Sequence, residues 1–182
     1  MRLFTGLDLP EEVGGRLAEL IERLRPTARI TWSPAANLHI TTKFIGEWPE
    51  DRLVELQTSL GALPERSAIE VRVGGLGFFP NGRAARVFYC GIEAPELSAL
   101  AAETDEVCTH LGIPSEKRAY SPHLTLARIR ERTDLKTLQE RIAALGAAEM
   151  GAFTATSFFL YRSQRRPTGS VYLKLAEFPL SK

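Results

Sequence analysis

Four stretches of this chain carry apolar residues at helical spacing, and between them lie shorter runs of strand length bounded by proline and glycine. Residues 2–7 (Arg-Leu-Phe-Thr-Gly-Leu) read as a strand. Pro10, Glu11 and Glu12 then suit a first helical turn, where amide hydrogens are unpaired and the dipole favours acidic side chains. Val13, Leu17, Leu20, Ile21 and Leu24 follow helical spacing until Pro26 ends the run. Residues 29–33 read as extended, Ser33-Pro34 to Asn37 as a turn, 38–45 as a strand, and Gly46 to Pro49 as a turn. Leu53, Leu56, Leu60 and Leu63 form a second helical stripe that stops near Pro64. Ile69, Val71 and Val73 alternate with polar residues, as in an edge strand. Gly74-Gly75-Leu76-Gly77 and Pro80-Asn81-Gly82 read as loops.

The same order then returns. Arg86-Val87-Phe88-Tyr89 matches Arg2-Leu3-Phe4-Thr5, and Pro95-Glu96 opens a helix bearing Leu97, Leu100, Thr104, Val107 and Leu111. The stripe Leu135, Leu138, Ile142, Leu145 matches Leu53, Leu56, Leu60, Leu63, and Phe153 to Tyr161 supplies the matching late strand. Ser170-Val171-Tyr172-Leu173 reads as a third copy of the opening strand. A period near 84 residues is too long for a solenoid. It predicts two α+β lobes, each an antiparallel-leaning sheet with helices on one face, related by a pseudo-two-fold axis. The expected unit is a single domain of two intertwined lobes, about 1–84 and 85–182.

The repeat brings candidate chemistry with it. His39 follows Arg2 by 37 positions, His123 follows Arg86 by the same 37, and each begins a His-x-Thr triplet. Residues i and i+2 of a strand share a face, so imidazole and hydroxyl project side by side. Paired across a cleft, His39 and His123 would form an acid–base couple, because the unperturbed imidazole pKa of about 6.5 suits either role near neutral pH. Thr41 and Thr125 would donate hydrogen bonds to phosphate oxygens. The bland reading, a histidine merely satisfied on a half-buried strand, is strong for one isolated triplet. It is weak for two at equivalent places in a chain with three histidines. The third, His110, has no repeat partner and reads as a surface residue near a helix end.

Around this set, strict alternation puts Arg128 on the strand face opposite His123, as a solvated charge or a phosphate or ribose contact. Lys43, Arg118, Arg162, Arg165 and Arg166 offer a local basic rim. Tyr120, Phe44, Trp32 and Phe79 are candidates to stack a base, with core packing the stronger reading for Phe44. Composition changes little: 44% apolar and 25% charged residues are ordinary for a globular domain, and a net charge of +1 argues against a broad nucleic-acid surface. Cys90 and Cys108 are too few for a disulfide framework and form no Cys-x-x-Cys pair, so they are expected as reduced thiols in a cytoplasmic protein. No apolar run approaches the roughly 18 residues of a membrane helix, and the start is not a signal peptide. The glycines at 74–77 lack the context of a dinucleotide or P-loop site.

The blocks Asn37-Leu38-His39-Ile40-Thr41-Thr42-Lys43-Phe44-Ile45-Gly46-Glu47 and Ser121-Pro122-His123-Leu124-Thr125-Leu126-Ala127-Arg128 resemble the paired signature of the 2H phosphoesterase superfamily. With Leu160-Tyr161-Arg162-Ser163, Gly169 and Tyr172, the likeness spans essentially the whole chain. It points to the branch of bacterial and archaeal RNA 2′,3′-cyclic phosphodiesterases, also called 2′-5′ RNA ligases. Thr42 departs from the aliphatic residue usual there. The resemblance implies a bilobal α+β fold, two antiparallel sheets with flanking helices around a central cleft. It implies hydrolysis of an RNA 2′,3′-cyclic phosphate to a 2′-phosphomonoester, with His39 as proton donor, His123 as proton acceptor, and Thr41 and Thr125 holding the phosphate. Arg128, Tyr120 and Lys43 are further candidate substrate contacts. No cofactor or metal is expected, nor an obligate protein partner; the chain is expected to be a monomer. The alternatives are 2′-5′ RNA ligation, action on a 2′-5′ oligonucleotide or small cyclic nucleotide, and a non-catalytic module that binds RNA ends. Substrate selectivity is expected in loops near 74–85 and 161–169.

Overall fold

A computed structural model describes residues 1–181. Its strands and helices are β1 (Arg2–Leu7), α1 (Glu11–Leu24), β2 (Thr31–Trp32), β3 (Ile40–Glu47), α2 (Leu53–Gly61), β4 (Ile69–Phe79), β5 (Val87–Glu93), α3 (Glu96–His110), β6 (His123–Arg128), α4 (Lys136–Leu145), β7 (Glu149–Ala155), β8 (Ser157–Arg166) and β9 (Gly169–Pro179). One sheet has the order β3-β1-β8-β9 and the other β2-β6-β5-β4-β7, and all these pairings are antiparallel. The fold is thus α+β with two antiparallel sheets. No helix among the described residues is long and apolar enough to cross a membrane.

The helical stripes behave as their spacing requires. Val13, Leu17, Leu20, Ile21 and Leu24 are all buried along α1, and Leu56 and Leu60 along α2. Burying the five α1 side chains contributes on the order of 10 kcal/mol of transfer free energy before ordering entropy is subtracted. On α3 the buried residues are Leu97, Leu100, Ala101, Thr104 and Cys108. In β1, Leu3 and Leu7 enter the same core while Phe4 turns to the opposite face.

Pairing crosses the repeat boundary. β4, from the first repeat, lies in the sheet of β5 and β6; β8 and β9, from the second, lie in the sheet of β1 and β3. Position 84 falls between β4 and β5, which pair as a hairpin. Several expectations are corrected by this arrangement. β4 is not an edge strand, since it sits between β5 and β7. The stretch 153–161 is two strands in different sheets, with Thr156 between them. Residues 170–173 belong to β9, which pairs with β8 at the sheet edge and is not a third opening strand. The glycines at 74–77 continue β4 through a bulge, where the register against β5 shifts between Val73 and Leu76. Gly75 there takes φ +78°, a conformation open to glycine, and a Cβ on Gly74 would stand 3.0 Å from the Ala148 carbonyl oxygen. Likewise 161–166 is strand, leaving the 80–86 connection as the longer loop of the two expected to select substrate.

Candidate active site

β3 and β6 carry the two triplets, and both contain the same irregularity. In β6, Tyr89 pairs with Thr125 but Phe88 pairs with Ala127, so Leu126 is an extra residue. In β3, Gly6 pairs with Thr41 but Thr5 with Lys43, so Thr42 is extra. The two bulges occupy equivalent places, 84 residues apart. Each reverses the alternation that follows it. His123 and Thr125 are half-buried, Leu126 and Ala127 are both fully buried, and Arg128 emerges exposed. Arg128 therefore returns to the face of His123 and Thr125, where strict alternation puts it on the other.

The same shift overturns two expectations in β3. Lys43 is turned inward: its Nζ lies 2.6 Å from Asp105 Oδ1 and donates to the Pro114 carbonyl at 2.9 Å. It is a buried structural cation and no substrate contact. Burial works against the Asp105 charge, yet Lys43, the Ser115 hydroxyl and the Glu116 amide hold its carboxyl below the usual range. Phe44, expected in the core, is instead 58% exposed beside Phe4, with ring centroids 6.3 Å apart. Phe44 and Arg128 are thus equivalent positions, one aromatic and one cationic, on the two walls of the cleft. The sequence signal for this was the consecutive apolar pair Leu126-Ala127, which an unbroken half-buried strand does not carry.

The imidazoles are held alike. Nδ1 of His39 bonds the Asn37 carbonyl at 2.6 Å, and Nδ1 of His123 bonds the Ser121 carbonyl at 2.8 Å. A carbonyl only accepts, so Nδ1 is the protonated nitrogen in each ring and Nε2 carries the exchangeable site. Asn37 is itself anchored, its Nδ2 donating to the Ser170 carbonyl at 2.7 Å. His39 lies over Phe4 at 4.6 Å and meets the edge of Tyr172 at 5.0 Å. His123 meets Phe79 at 5.0 Å and Tyr89 at 5.9 Å. Burial is the main cause that lowers the His39 pKa below 6.5; the bond to Asn37 opposes it, and the charges of Arg128 and His123 lower it further. Those two charges come from β6, so the groups on opposite walls sense one another.

Tyr120 ties the walls together. Its hydroxyl donates to the Thr41 carbonyl at 2.9 Å, and burial raises its pKa. That hydroxyl is a brace between the motifs and is already engaged. Ser33 braces β6 from the other side, donating from Oγ to the Thr125 carbonyl at 2.7 Å and from its amide to the Leu126 carbonyl at 2.8 Å. The buried Thr42 hydroxyl pairs with Thr5 at 2.7 Å, which removes the cost of placing a polar group there. Gly6 permits the close approach of β3, since a Cβ would stand 2.5 Å from the Ile40 carbonyl oxygen. Trp32 is buried, and His110 is exposed at the end of α3. Burial raises the Cys90 and Cys108 thiols to about 12 and about 11, so neither is a ready nucleophile. No three or more His, Cys, Asp or Glu side chains among the described residues are grouped to hold a metal ion.

One histidine from each repeat, on matched strands in a duplicated two-sheet fold, is the arrangement of a 2H phosphoesterase. The chain belongs to the 2′-5′ RNA ligase superfamily, whose family model matches residues 11–167. It is 34% identical to the RNA 2′,3′-cyclic phosphodiesterase of Methanocaldococcus jannaschii, over 98% of this chain and 100% of that protein. It is 33% identical to the protein of that name from Thermus thermophilus, over 99% and 90%. Among solved structures, TT0787 of Thermus thermophilus superposes with a TM-score of 0.81 at 30% identity, covering 99% of this chain and 98% of that one. E. coli LigT, crystallised with 3′-AMP, shares the fold with a TM-score of 0.78 at 22% identity, over 100% and 98%.

Proposed function

We propose that this protein hydrolyses 2′,3′-cyclic phosphate ends of RNA to 2′-phosphomonoesters by two-histidine general acid–base catalysis. The observation that carries this reading is the matched pair of imidazoles, each fixed through Nδ1 to the carbonyl two residues before it. Names of relatives aligned over nearly the whole chain support the same substrate. Neutral Nε2 of His123 takes a proton from water as the water oxygen bonds to phosphorus. The P–O3′ bond breaks, and the departing 3′ oxygen takes the Nε2 proton of His39. Thr41 and Thr125 donate to the non-bridging oxygens, and the Arg128 guanidinium balances their charge. Burial by itself favours neutral His39; an anionic phosphodiester beside the ring raises its pKa and favours the proton donor. Two free, buried cysteines support a reducing, cytoplasmic setting.

The test is incubation with an RNA oligonucleotide ending in 2′,3′-cyclic phosphate, with and without EDTA, followed by identification of the product. The expected result is a 2′-phosphomonoester formed equally fast in both. A 3′-phosphomonoester, a ligated product or no reaction would count against this mechanism.

The pH dependence follows from the His39 environment. One ring must be neutral and the other protonated, so kcat/KM against pH is bell-shaped. With the His39 pKa lowered and the two rings repelling, the first proton leaves the pair below the ordinary 6.5. The acid limb is accordingly expected below pH 6.5, measured as kcat/KM on a cyclic-phosphate substrate. A limb at or above 6.5 contradicts the burial argument.

Phe44 provides an exposed ring at the cleft wall, suited to stack the terminal base. Base–aromatic stacking is worth about 1–3 kcal/mol per base. Phe44→Ala is expected to raise KM with little change in kcat, read from initial rates. A pure kcat effect would place the ring's role elsewhere.

A further inference from the structure

A groove of about 560 Å³ opens beyond the cleft wall formed by β1, β3 and β8. It is lined by Met1, Arg2, Glu47 and the run from Arg162 to Arg166. A second groove, of about 310 Å³, includes Arg86 and Glu131, which lie 84 positions after Arg2 and Glu47. The two are therefore related by the internal repeat, one at the outer end of each sheet.

We propose that the larger groove holds the RNA strand upstream of the reacting nucleotide, making oligoribonucleotide ends the preferred substrates over mononucleotides. This rests on the cyclic-phosphate reading above and extends its site. In β1, Arg2 shares a face with Phe4, roughly 7 Å further along the strand. Phe4 is the ring under His39 and beside Phe44. In β8, Tyr161 stacks on Phe4 at 4.9 Å, and Ser163 and Arg165 continue the face of Tyr161. One face of the sheet thus runs from the imidazole, through the buried Phe4 and Tyr161 rings and beside the exposed Phe44, to Arg2 and Arg165. Both arginines are exposed, and neither takes part in an ion pair among the described residues.

Charge favours a polyanion there. Four arginines line the groove with one carboxylate, Glu47; Arg162 pairs with Glu50 at 3.4 Å, and Arg2 and Arg165 carry their charge on the Phe4 face. The smaller groove lacks the approach. At the place equivalent to the exposed Phe44 ring stands the cationic Arg128, the Phe79 and Tyr89 rings beside His123 are half-buried, and Arg86 already donates to the Arg130 carbonyl at 3.3 Å. A substrate ending in one cyclic phosphate has one strand leading away, and the larger groove matches it.

The test compares the wild type with Arg2→Ala/Arg165→Ala and with Arg132→Ala from the smaller groove. Substrates are adenosine 2′,3′-cyclic monophosphate and a single-stranded oligoribonucleotide ending in 2′,3′-cyclic phosphate. Loss of Arg2 and Arg165 is expected to lower kcat/KM on the oligonucleotide by about tenfold. The slope of log affinity against log salt should become shallower by about 1.4, for two phosphate contacts on a single strand. Mononucleotide turnover should stay at the wild-type level, and the smaller-groove variant should match the wild type on both substrates. Equal losses on both substrates, no loss on the oligonucleotide, or an equal loss from the smaller-groove variant overturns the proposal. Fluorescence anisotropy of the labelled oligonucleotide reads the groove apart from catalysis. A wild type that binds through Arg2 and Arg165 without hydrolysing keeps the groove and sinks the cyclic-phosphate reading. A wild type that hydrolyses while the variant binds unimpaired does the reverse.

Discussion

His39→Ala and His123→Ala are each expected to lower turnover of an RNA 2′,3′-cyclic phosphate by a factor of about 10²–10⁴. The double variant is expected to lose little more than the worse single variant, because the acid and the base act on one displacement. His39 is packed between Phe4 and Tyr172, so alanine there also removes contacts. His39→Asn is the cleaner probe. Its side-chain amide can still donate to the Asn37 carbonyl, but it has no titrating Nε2. Single-turnover rates with product identification measure the effect, and thermal unfolding checks the fold. Near-normal rates in either single variant would dismiss the two-histidine mechanism.

Asp105→Ala is the substitution expected to cost most stability without touching the chemistry. It leaves the Lys43 ammonium, 4% exposed, with the Pro114 carbonyl as its remaining partner among the described residues. Removing one member of a buried ion pair costs about 3–5 kcal/mol. The lower end, about 3 kcal/mol, is expected because Asp105 itself keeps 21% exposure. Pairing Asp105→Ala with Lys43→Met should recover much of the loss, since the stranded charge goes with it. Urea denaturation measures both, while kcat per folded molecule is expected to hold. If Lys43 instead faced substrate, Lys43→Met would reduce activity and Asp105→Ala would leave stability near the wild type.

The helical stripes, the duplication and the two His-x-Thr triplets are legible from spacing, because each depends on a period within a single element. Partner choice between strands is not. The alternation of Ile69, Val71 and Val73 says that they are extended, but not that β4 joins β5 and β7. Lys43, Phe44 and Arg128 all lie on faces that alternation does not give, for one shared reason. Each follows the extra residue of a bulge, and a bulge reverses every inward and outward assignment beyond it. The glycines at 74–77 mislead in a related way. Glycine accommodates a bulge inside a strand as readily as it ends one.

The crossing of strands between repeats has a consequence for how the two histidines can specialise. A chain half this long could complete neither sheet alone, whereas two copies trading strands would complete both, with the cleft on their dyad. In such an assembly the two imidazoles would be interchangeable, and every neighbour of one would recur beside the other. Joined in one polypeptide, the walls are free to diverge: Asp8, whose charge acts to raise the His39 pKa, stands 84 positions before Ile92, and Phe44 stands 84 before Arg128. Covalent fusion thereby permits a division of labour that a symmetric dimer forbids.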